Sequence, residues 1–324
     1  MQSYSPYPVL REKIEQEGLL VKSPLRYSFR CLIILGGIFL TLFAITQTQN
    51  IVIIGVDAVL LGLLFAQGTF IAHDIAHNQV FRSYRLKQII GTLWFSVLFG
   101  ASMRWWEKKH DLHHAHPNEL GVDPDVQVPL AFSEEHFKHL GKLHAKISRH
   151  QRWLFFGILS FARTSLYFGT FADLFKRHDH IALTEAFLIV INLLLYFLFV
   201  FHFLSLATAL FFLAIVFWSQ SMNIGLAFAP NHKGMPLLPK GTKLDFMTRQ
   251  IMTSRNINPG LCSDFFYGGL NYQIEHHLFP TLPRHNLRRA SQITKEFCAS
   301  QGIDYLEVSP IESIRQIYQG FFSS

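Results

Sequence analysis

Eight histidines of this chain stand in short patterns of a kind that binds metal ions. The patterns are HDIAH (His73, His77), HDLHH (His110, His113, His114), PNHK (His232) and QIEHH behind Gln273 (His276, His277). Side chains three or four positions apart on a helix share a face, so each cluster directs two or three imidazoles at one point. Neutral imidazole is a good ligand for iron, zinc, copper or nickel, and eight imidazoles suit two ions with about four protein ligands each.

Each pattern alone is weak, and only the combination is specific. A pair of histidines at i, i+4 is more often a surface or capping feature than a metal site. HDIAH resembles the zinc protease motif, but Asp74 stands where that motif has glutamate. We expect the other histidines, which have no such frame, on solvated or interfacial faces; they are His116, His136, His139, His144, His150, His178, His180, His202 and His285.

The composition indicates a membrane protein. Of the 324 residues 50% are hydrophobic and 16% charged, and 32 are phenylalanine. A soluble enzyme of this size carries about 25% charged residues, and a disordered chain is far less apolar, so both classes are disfavoured. The net charge of +7 favours a membrane surface over nucleic acid. Three widely spaced cysteines exclude a disulfide framework and a cysteine-based metal site.

Two long apolar stretches predict an all-α integral membrane protein with four transmembrane helices in two hairpins. Residues 31–73 carry one charge and residues 186–231 none, and each stretch has room for two spans. The expected spans are 30–48, 51–72, 183–202 and 204–229. Residues 1–29 form a cytoplasmic N-terminal segment, and residues 30–324 form one domain whose cytoplasmic helical cap comprises 73–182 and 230–324.

The positive charges orient these spans. Of the 29 lysines and arginines, five lie within residues 1–30, fourteen lie between 73 and 182, and ten follow 232. The short hairpin tips have none, so the positive-inside rule places both termini, the cap and every histidine pattern in the cytoplasm. Two shorter apolar stretches, 88–103 and 153–171, are expected to be interfacial helices, and the tail 311–322 a helix on the membrane or domain surface.

The chain resembles the membrane-bound fatty acid desaturases, and within them the front-end (delta-5/delta-6-like) subgroup, whose third histidine box begins with glutamine. The likeness extends beyond the boxes, over roughly residues 50 to 300. It includes Trp105-Trp106, HAHPN at 114–118, Asp123-Pro124-Asp125, and GGLNYQIEHHLFPTLPRHN at 268–286.

The resemblance implies a cytoplasmic di-iron site that takes O2 as co-substrate. Its iron ligands would be His73, His77, His110, His113, His114, His232, His276 and His277. We expect four polar residues around these ligands to orient them or hold water: Asp74, Asp111, Gln273 and Glu275. The substrate would be a fatty acyl chain on CoA or a lipid, which gains a cis double bond.

The resemblance also predicts a separate electron donor. Many front-end desaturases carry a fused cytochrome b5 domain with a His-Pro-Gly-Gly motif, and this sequence has no such motif. The 29 residues before the first predicted span are too few for that domain. We therefore expect ferredoxin or free cytochrome b5 as a partner, attracted by the basic cytoplasmic surface.

Three other functions compete with desaturation. A hydroxylase or ketolase would use the same di-iron scaffold. An intramembrane zinc protease would use His73 and His77 and would leave the other six histidines of the patterns without a role. A haem protein that carries electrons across the membrane would place histidines within its spans, where His202 is the one candidate.

Overall fold

The computed structural model describes residues 5–322, and these are mostly helical. The α-helices are α1 (Tyr7–Gln16), α2 (Pro24–Ala44), α3 (Ile51–Ala76), α4 (Tyr84–Leu93), α5 (Met103–Ala115), α6 (Glu134–His139), α7 (Lys142–Ser148), α8 (Gln151–Leu159), α9 (Ala162–Leu174), α10 (His180–Phe203), α11 (Leu206–His232), α12 (Phe246–Met252), α13 (Leu261–Phe266), α14 (Gln273–Leu278), α15 (Leu287–Gln301) and α16 (Pro310–Gly320). A π-helical segment, Trp94–Phe99, continues α4. Strands β1 (Asn256–Ile257) and β2 (Glu307–Val308) pair in parallel, with Asn256 opposite Glu307.

Four helices, α2, α3, α10 and α11, are long and apolar enough to cross a membrane, with 21, 26, 24 and 27 residues. This confirms the prediction of four candidate spans, although the helix ends differ from the predicted ones. Helix α2 begins at Pro24, because proline fits the first turn of a helix, where its missing N–H is not needed. Helices α3 and α11 extend beyond the predicted span ends, so that His73 and His232 are still helical.

Polar caps set the starts of two of these helices. The Asn50 side chain accepts hydrogen bonds from the backbone N–H groups of Val52 and Ile53, and so begins α3 at the predicted position. Asp179 caps α10 in the same way through Ile181 and Ala182. Only residues 45–50 separate α2 from α3, and residues 204–205 separate α10 from α11.

The two shorter apolar stretches are broken helices. Residues 88–103 lie mainly in α4 and the π-helical segment, and residues 153–171 lie in α8 and α9. Neither helix of each bent pair is long and apolar enough to cross a membrane alone, but the two together are. The pairs are Tyr84–Phe99 with Met103–Ala115, and Gln151–Leu159 with Ala162–Leu174. Each pair bends sharply at its break, so the described chain offers four spans, or up to 6 if each bent pair is counted.

The described chain divides into two compact units. The span unit comprises residues 22–107 and 159–225, and the histidine unit comprises residues 5–21, 108–158 and 226–322. Residues 73–107 and 159–182, which the sequence assigns to the cap, therefore pack within the span unit. Helices α5, α8 and α11 each contribute residues to both units.

The span unit is held by close helix packing. Helix α2 packs along α3, and α10 packs on the π-helical segment. At Gly62 a Cβ atom would lie 1.8 Å from Ser219 Oγ and 2.7 Å from the Val216 carbonyl oxygen, so α3 and α11 touch backbone to backbone there. Only 11% of the apolar window of α10 and 22% of that of α2 is buried, against 50% for α3 and for α11. Helices α10 and α2 therefore leave most residues of these apolar windows unburied.

The histidine unit has its own apolar core. Helix α1, in the segment that the sequence left without structure, buries Leu10 and Ile14 completely. These side chains are four residues apart and join a cluster with Ile274, Leu278 and Phe297. The core therefore surrounds α14, which carries His276 and His277, with packed side chains.

Candidate metal centre

Three elements of the histidine unit carry six of the eight framed histidines. Helix α5 carries His110, His113 and His114, the last residue of α11 is His232, and α14 carries His276 and His277. All six are buried except His114, which is half-buried. Neutral imidazole tolerates burial far better than a charged ligand does, provided that its ring nitrogens find partners.

His113, His232 and His277 converge within this unit. Their nearest ring nitrogens all lie within 4.8 Å of one another. The ring centroids are 4.8 Å apart for His113 and His232, 5.1 Å for His113 and His277, and 4.7 Å for His232 and His277. Residues that lie far apart in the sequence are thus brought to one point, as the sequence patterns predict for a metal site.

Each of these three rings is oriented by an acceptor at Nδ1. The Nδ1–H of His113 donates to the Asp123 carboxylate at 3.0 Å, and that of His277 donates to Gln250 Oε1 at 2.8 Å. His232 Nδ1–H donates to the backbone carbonyl of Thr253 at 2.9 Å. Because Nδ1 carries the proton in each ring, Nε2 keeps its lone pair, which is the arrangement that outer partners impose on metal-binding histidines.

The donor set fits a transition-metal ion. Nε2 of His277 is buried and has no hydrogen-bond partner among residues 5–322. Burial, helped by the neighbouring His114, holds the pKa of His277 well below its usual range, so the ring is neutral. A buried lone pair without a donor costs free energy unless something binds it, and a metal ion of the iron or zinc type accepts such a ligand.

Gln273 lies at the edge of this cluster. Its Nε2 is 2.9 Å from His232 Nε2, so the amide donates to the lone pair that a metal would take. The Asn231 side chain in turn donates to Gln273 Oε1 at 3.0 Å, and this fixes the orientation of the amide. Metal binding at His232 would require Gln273 to turn away from the ring.

The other three histidines of the unit surround this cluster. His114 stacks on His277 with ring centroids 4.2 Å apart, and its Nε2 is 3.1 Å from His110 Nε2. The rings of His110 and His276 are 6.3 Å apart and nearly parallel. The structure therefore groups all six histidines of the histidine unit.

His73 and His77 form a close pair in the span unit. Their rings are 4.6 Å apart at the end of α3, and both contact the Trp106 ring, at 5.5 and 6.0 Å. His73 Nδ1 lies 3.3 Å from Asp74 Oδ1. Spacing of four residues on α3 thus places both imidazoles on one face, as predicted.

The remaining polar residues proposed from sequence occupy different environments. Asp111 is exposed, whereas Glu275 is fully buried. Glu275 accepts hydrogen bonds from Asn256 at 2.7 Å and from the Tyr305 hydroxyl at 3.0 Å. Burial raises the pKa of Glu275 to about 7, and the hydrogen bonds from Asn256 and Tyr305 oppose that rise.

The acceptors that hold the three rings were not identified from sequence. Asp123 entered only through the family resemblance, and nothing pointed to Gln250 or Thr253. Asp123 also accepts from the backbone N–H groups of Asn118 and Asp125, both at 2.8 Å, so its carboxylate is fixed in place. An acidic residue a few positions after a histidine box is a usable signal, but a glutamine on a separate helix is not.

Comparison with known proteins identifies the family. The family model for fatty acid desaturases matches residues 51–309. The chain belongs to the fatty acid desaturase family. The matched region contains the eight histidines of the sequence patterns, three of the four candidate spans (α3, α10 and α11) and both strands.

Relatives of this chain include several proteins named as desaturases of acyl chains. It is 32% identical over 318 residues to an acyl-lipid (9-3)-desaturase of Physcomitrium patens, covering 93% of this chain and 59% of the relative. It is 32% identical over 317 residues to a delta(8)-fatty-acid desaturase of Euglena gracilis, covering 94% and 75%. It is 31% identical over 316 residues to a delta(5) fatty acid desaturase of Caenorhabditis elegans, covering 92% and 68%. The chain thus spans about six-tenths of the moss relative's length.

Proposed function

We propose that this desaturase introduces a cis double bond into a fatty acyl chain, in an O2-dependent reaction at a histidine-ligated di-iron centre. Residues 30–324 form the desaturase domain, in which four spans make two hairpins. Residues 73–182 and 230–324 form a cytoplasmic cap. The eight framed histidines are the iron ligands, through which catalysis proceeds: His73, His77, His110, His113, His114, His232, His276 and His277.

One observation carries this proposal most directly. His113, His232 and His277 each donate Nδ1–H to a fixed acceptor, and their ring nitrogens gather within 4.8 Å. Such an outer set of acceptors fixes the tautomer and raises the basicity of a metal ligand. A purely structural cluster of imidazoles has no need for the buried, unpartnered Nε2 of His277 beside two further rings whose Nδ1 atoms are fixed in the same way.

The chain's own residues would bind, orient and isolate the reaction. Bound iron would supply the activation of O2 that removes two hydrogens from adjacent methylenes, which no side-chain acid or base can do. The three acceptors, Asp123, Gln250 and the Thr253 carbonyl, hold the imidazoles so that ligand geometry is preorganised. Asp74, Asp111, Gln273 and Glu275 are proposed to orient ligands or hold water around them.

The reaction also needs electrons and a carrier for the acyl chain. Two electrons and two protons accompany each O2 as it is reduced to two waters while the acyl chain loses two hydrogens. We propose ferredoxin or cytochrome b5 as a separate donor protein, on the cytoplasmic side. The acyl chain is carried by CoA or a membrane lipid, and front-end regioselectivity places the new double bond between an existing one and the carboxyl end.

Product analysis tests the proposal. The full chain is expressed in a host that lacks polyunsaturated acyl chains, and the host is fed defined mono- and di-unsaturated fatty acids. We expect a product that has lost two hydrogens, with the new bond on the carboxyl side of an existing one, as located by mass spectrometry of derivatised esters. His113→Ala should abolish the product, and exposed His202→Ala should retain it.

Other outcomes point to other chemistry. A product that gains an oxygen atom would assign the chain to the hydroxylases. A purified protein that holds zinc but no iron, with activity independent of O2, would overturn the di-iron proposal.

A further inference from the structure

Two of the last carbonyl groups of α11, and the first one beyond its end, accept hydrogen bonds from a single residue of another segment. The last carbonyls of a helix have no donor within the helix. Here the backbone N–H of Arg255 donates to the Asn231 carbonyl at 3.0 Å. The Arg255 guanidinium donates through Nε to the Pro230 carbonyl and through Nη2 to the Lys233 carbonyl. Arg255 therefore binds the main chain on both sides of His232.

Because Arg255 is buried, these hydrogen bonds stabilise a positive charge that has been removed from water. Its side chain is completely buried, and removing a charge from water is costly unless every donor finds an acceptor. Burial lowers its pKa to about 10, so Arg255 remains charged at neutral pH. The negative end of the α11 dipole lies at these carbonyls and stabilises the positive charge.

A further donor of Arg255 reaches the C-terminal helix. Arg255 Nη1 donates to Gln316 Oε1 of α16 at 2.7 Å. The Gln316 amide is held in turn, because its Nε2 donates to Glu312 Oε1 at 3.1 Å. The guanidinium thus joins the end of α11 to α16 through defined hydrogen bonds.

A close backbone approach supports the same connection independently. Gly234 has φ +79°, and a Cβ atom there would lie 3.1 Å from the Gln316 carbonyl oxygen and 3.3 Å from Ile317 Cα. A side chain at this position would be strained by its backbone and would push on α16. Helix α16 therefore rests directly on the main chain two residues beyond His232.

We propose that Arg255 and Gln316 form a clamp through which α16 holds His232 in position for metal binding. Both are positioning residues, since their described hydrogen bonds reach no imidazole ring of His113, His232 or His277. The inference rests on the proposed metal centre and adds to it an element outside the histidine boxes.

The clamp acts on the ring as well as on the main chain. Thr253, whose carbonyl accepts from His232 Nδ1, lies two residues before Arg255. A displacement of Arg255 would therefore move the acceptor of the ring together with the donors to the neighbouring carbonyls. His113 and His277 have acceptors elsewhere, on Asp123 and Gln250, so the effect is confined to one of the three ligands.

Metal retention in matched variants tests the clamp. The full chain is purified in detergent and loaded with iron, and the rate of iron loss to a chelator is measured for wild type, Gln316→Leu, Gln316→Glu and Arg315→Gln. Gln316→Leu removes the acceptor of Arg255 Nη1, and we expect iron loss up to about tenfold faster, the lower end of the effect of losing a partner that bonds a metal ligand directly. Gln316→Glu keeps an acceptor for Arg255 but sets a carboxylate against Glu312, so it is combined with Glu312→Gln, and this double variant should lose iron at the wild-type rate. Arg315 is exposed and bonds only Glu312 among the described contacts, so Arg315→Gln should match wild type.

Two further measurements separate the possible failures. Gly234→Ala pushes on α16 without removing a hydrogen-bonding group, and it should also accelerate iron loss. A purely structural role for Gln316 would lower the melting temperature of the metal-free protein and leave the rate of iron loss from folded chains unchanged, which would overturn the clamp. A wild-type chain that binds no transition metal would instead overturn the proposed function.

Discussion

Each of the two units of this chain is stabilised internally by a different kind of interaction. In the histidine unit, Asp123, Gln250 and the Thr253 carbonyl fix one imidazole each, and buried polar groups meet in defined pairs. In the span unit, α3 and α11 meet at Gly62, and α10 leaves almost nine-tenths of its apolar window unburied. Directed hydrogen bonds determine the arrangement of side chains in the histidine unit, and the complementary shapes of packed helices determine it in the span unit.

One polar network interrupts this pattern in the span unit. Glu185 of α10 is completely buried and accepts from Arg177 and from the Ser102 hydroxyl, both at 2.8 Å. Ser102 precedes α5 and accepts from the Trp105 N–H at 3.1 Å, so it caps that helix. Substitutions should therefore fail in two ways: loss of metal from a folded chain in the histidine unit, and loss of the fold in the span unit.

The largest effect is expected from the loss of a ligand. His277→Ala should reduce desaturation by more than about 100-fold, since even an outer partner of a ligand contributes about 10–100-fold. Metal content should fall while the circular dichroism of the chain is unchanged, because α14 is packed on all sides. Wild-type metal content in this variant would contradict the role of His277.

Breaking the ion pair of Glu185 should act on the fold. Glu185→Ala leaves Arg177 with Asp173 and Asp179 and removes the acceptor of the Ser102 hydroxyl, and loss of one partner of a buried pair costs about 3 kcal/mol. Thermal unfolding in detergent measures this. Glu134→Gln, which breaks an exposed pair with Lys138, is the control and should unfold like wild type. Equal stability of both variants would show that the network is dispensable.

Close packing of α3 on α11 predicts the next effect. In Gly62→Ala the new methyl group meets Ser219 and the Val216 carbonyl, and such overpacking costs about 1–3 kcal/mol. Gly36→Ala on α2 is the matched control, because nothing lies within 4 Å of its Cβ position. That variant should be as stable as wild type or slightly more stable, since alanine favours a helix. Unfolding temperatures of the two variants that do not differ would refute the close contact.

A smaller effect is expected where a ring loses its acceptor but keeps its ligand atom. Gln250→Ala removes the acceptor of His277 Nδ1 and the donor to the His114 carbonyl, and should weaken metal binding about tenfold. Gln250→Glu retains the acceptor and should bind metal nearly as well as wild type. Iron titration of the metal-free protein distinguishes the two. Equal weakening in both variants would mean that the donor to His114 matters more.

The smallest effect concerns pH. Burial lowers the pKa of His136 to about 4, and its ring is hydrogen-bonded to the Val126 carbonyl at 3.0 Å. The folded pKa lies below the unfolded value of about 6.5, so the neutral ring favours folding above pH 6.5 and this contribution is lost as the pH falls towards 4. His136→Gln should therefore lose less stability than wild type over this interval in unfolding measurements. Parallel pH profiles would remove His136 as a contributor.

Local sequence patterns predicted the features that depend on residues close together in the chain. Spacing of three or four residues predicted which histidines share a helix face, and the uncharged stretches predicted the four long helices. The helix in the N-terminal segment was missed, although Leu10 and Ile14 have helical spacing, because two apolar residues among many charges are a weak signal. Its burial depends on α15, which lies far along the chain.

Long-range partners were beyond the reach of sequence reasoning. Gln250 and His277 are 27 residues apart, and Arg255 and Gln316 are 61 apart. Neither glutamine belongs to a pattern, and each acquires its role only when separate helices meet. The histidine patterns could be recognised because their members cluster in sequence, whereas the residues that orient the rings are dispersed along the chain.

The length of α10 has a mechanical consequence. Its 24 residues extend about 36 Å, whereas the 18 residues after Glu185 extend about 27 Å, close to the roughly 30 Å of hydrocarbon in a typical bilayer. A spanning helix adjusts to a change in bilayer thickness by changing its tilt. Glu185, in the second turn of α10, is hydrogen-bonded to Ser102 and to the Arg104 N–H at the start of α5. A thicker or thinner bilayer would thus act on the start of α5 through these hydrogen bonds.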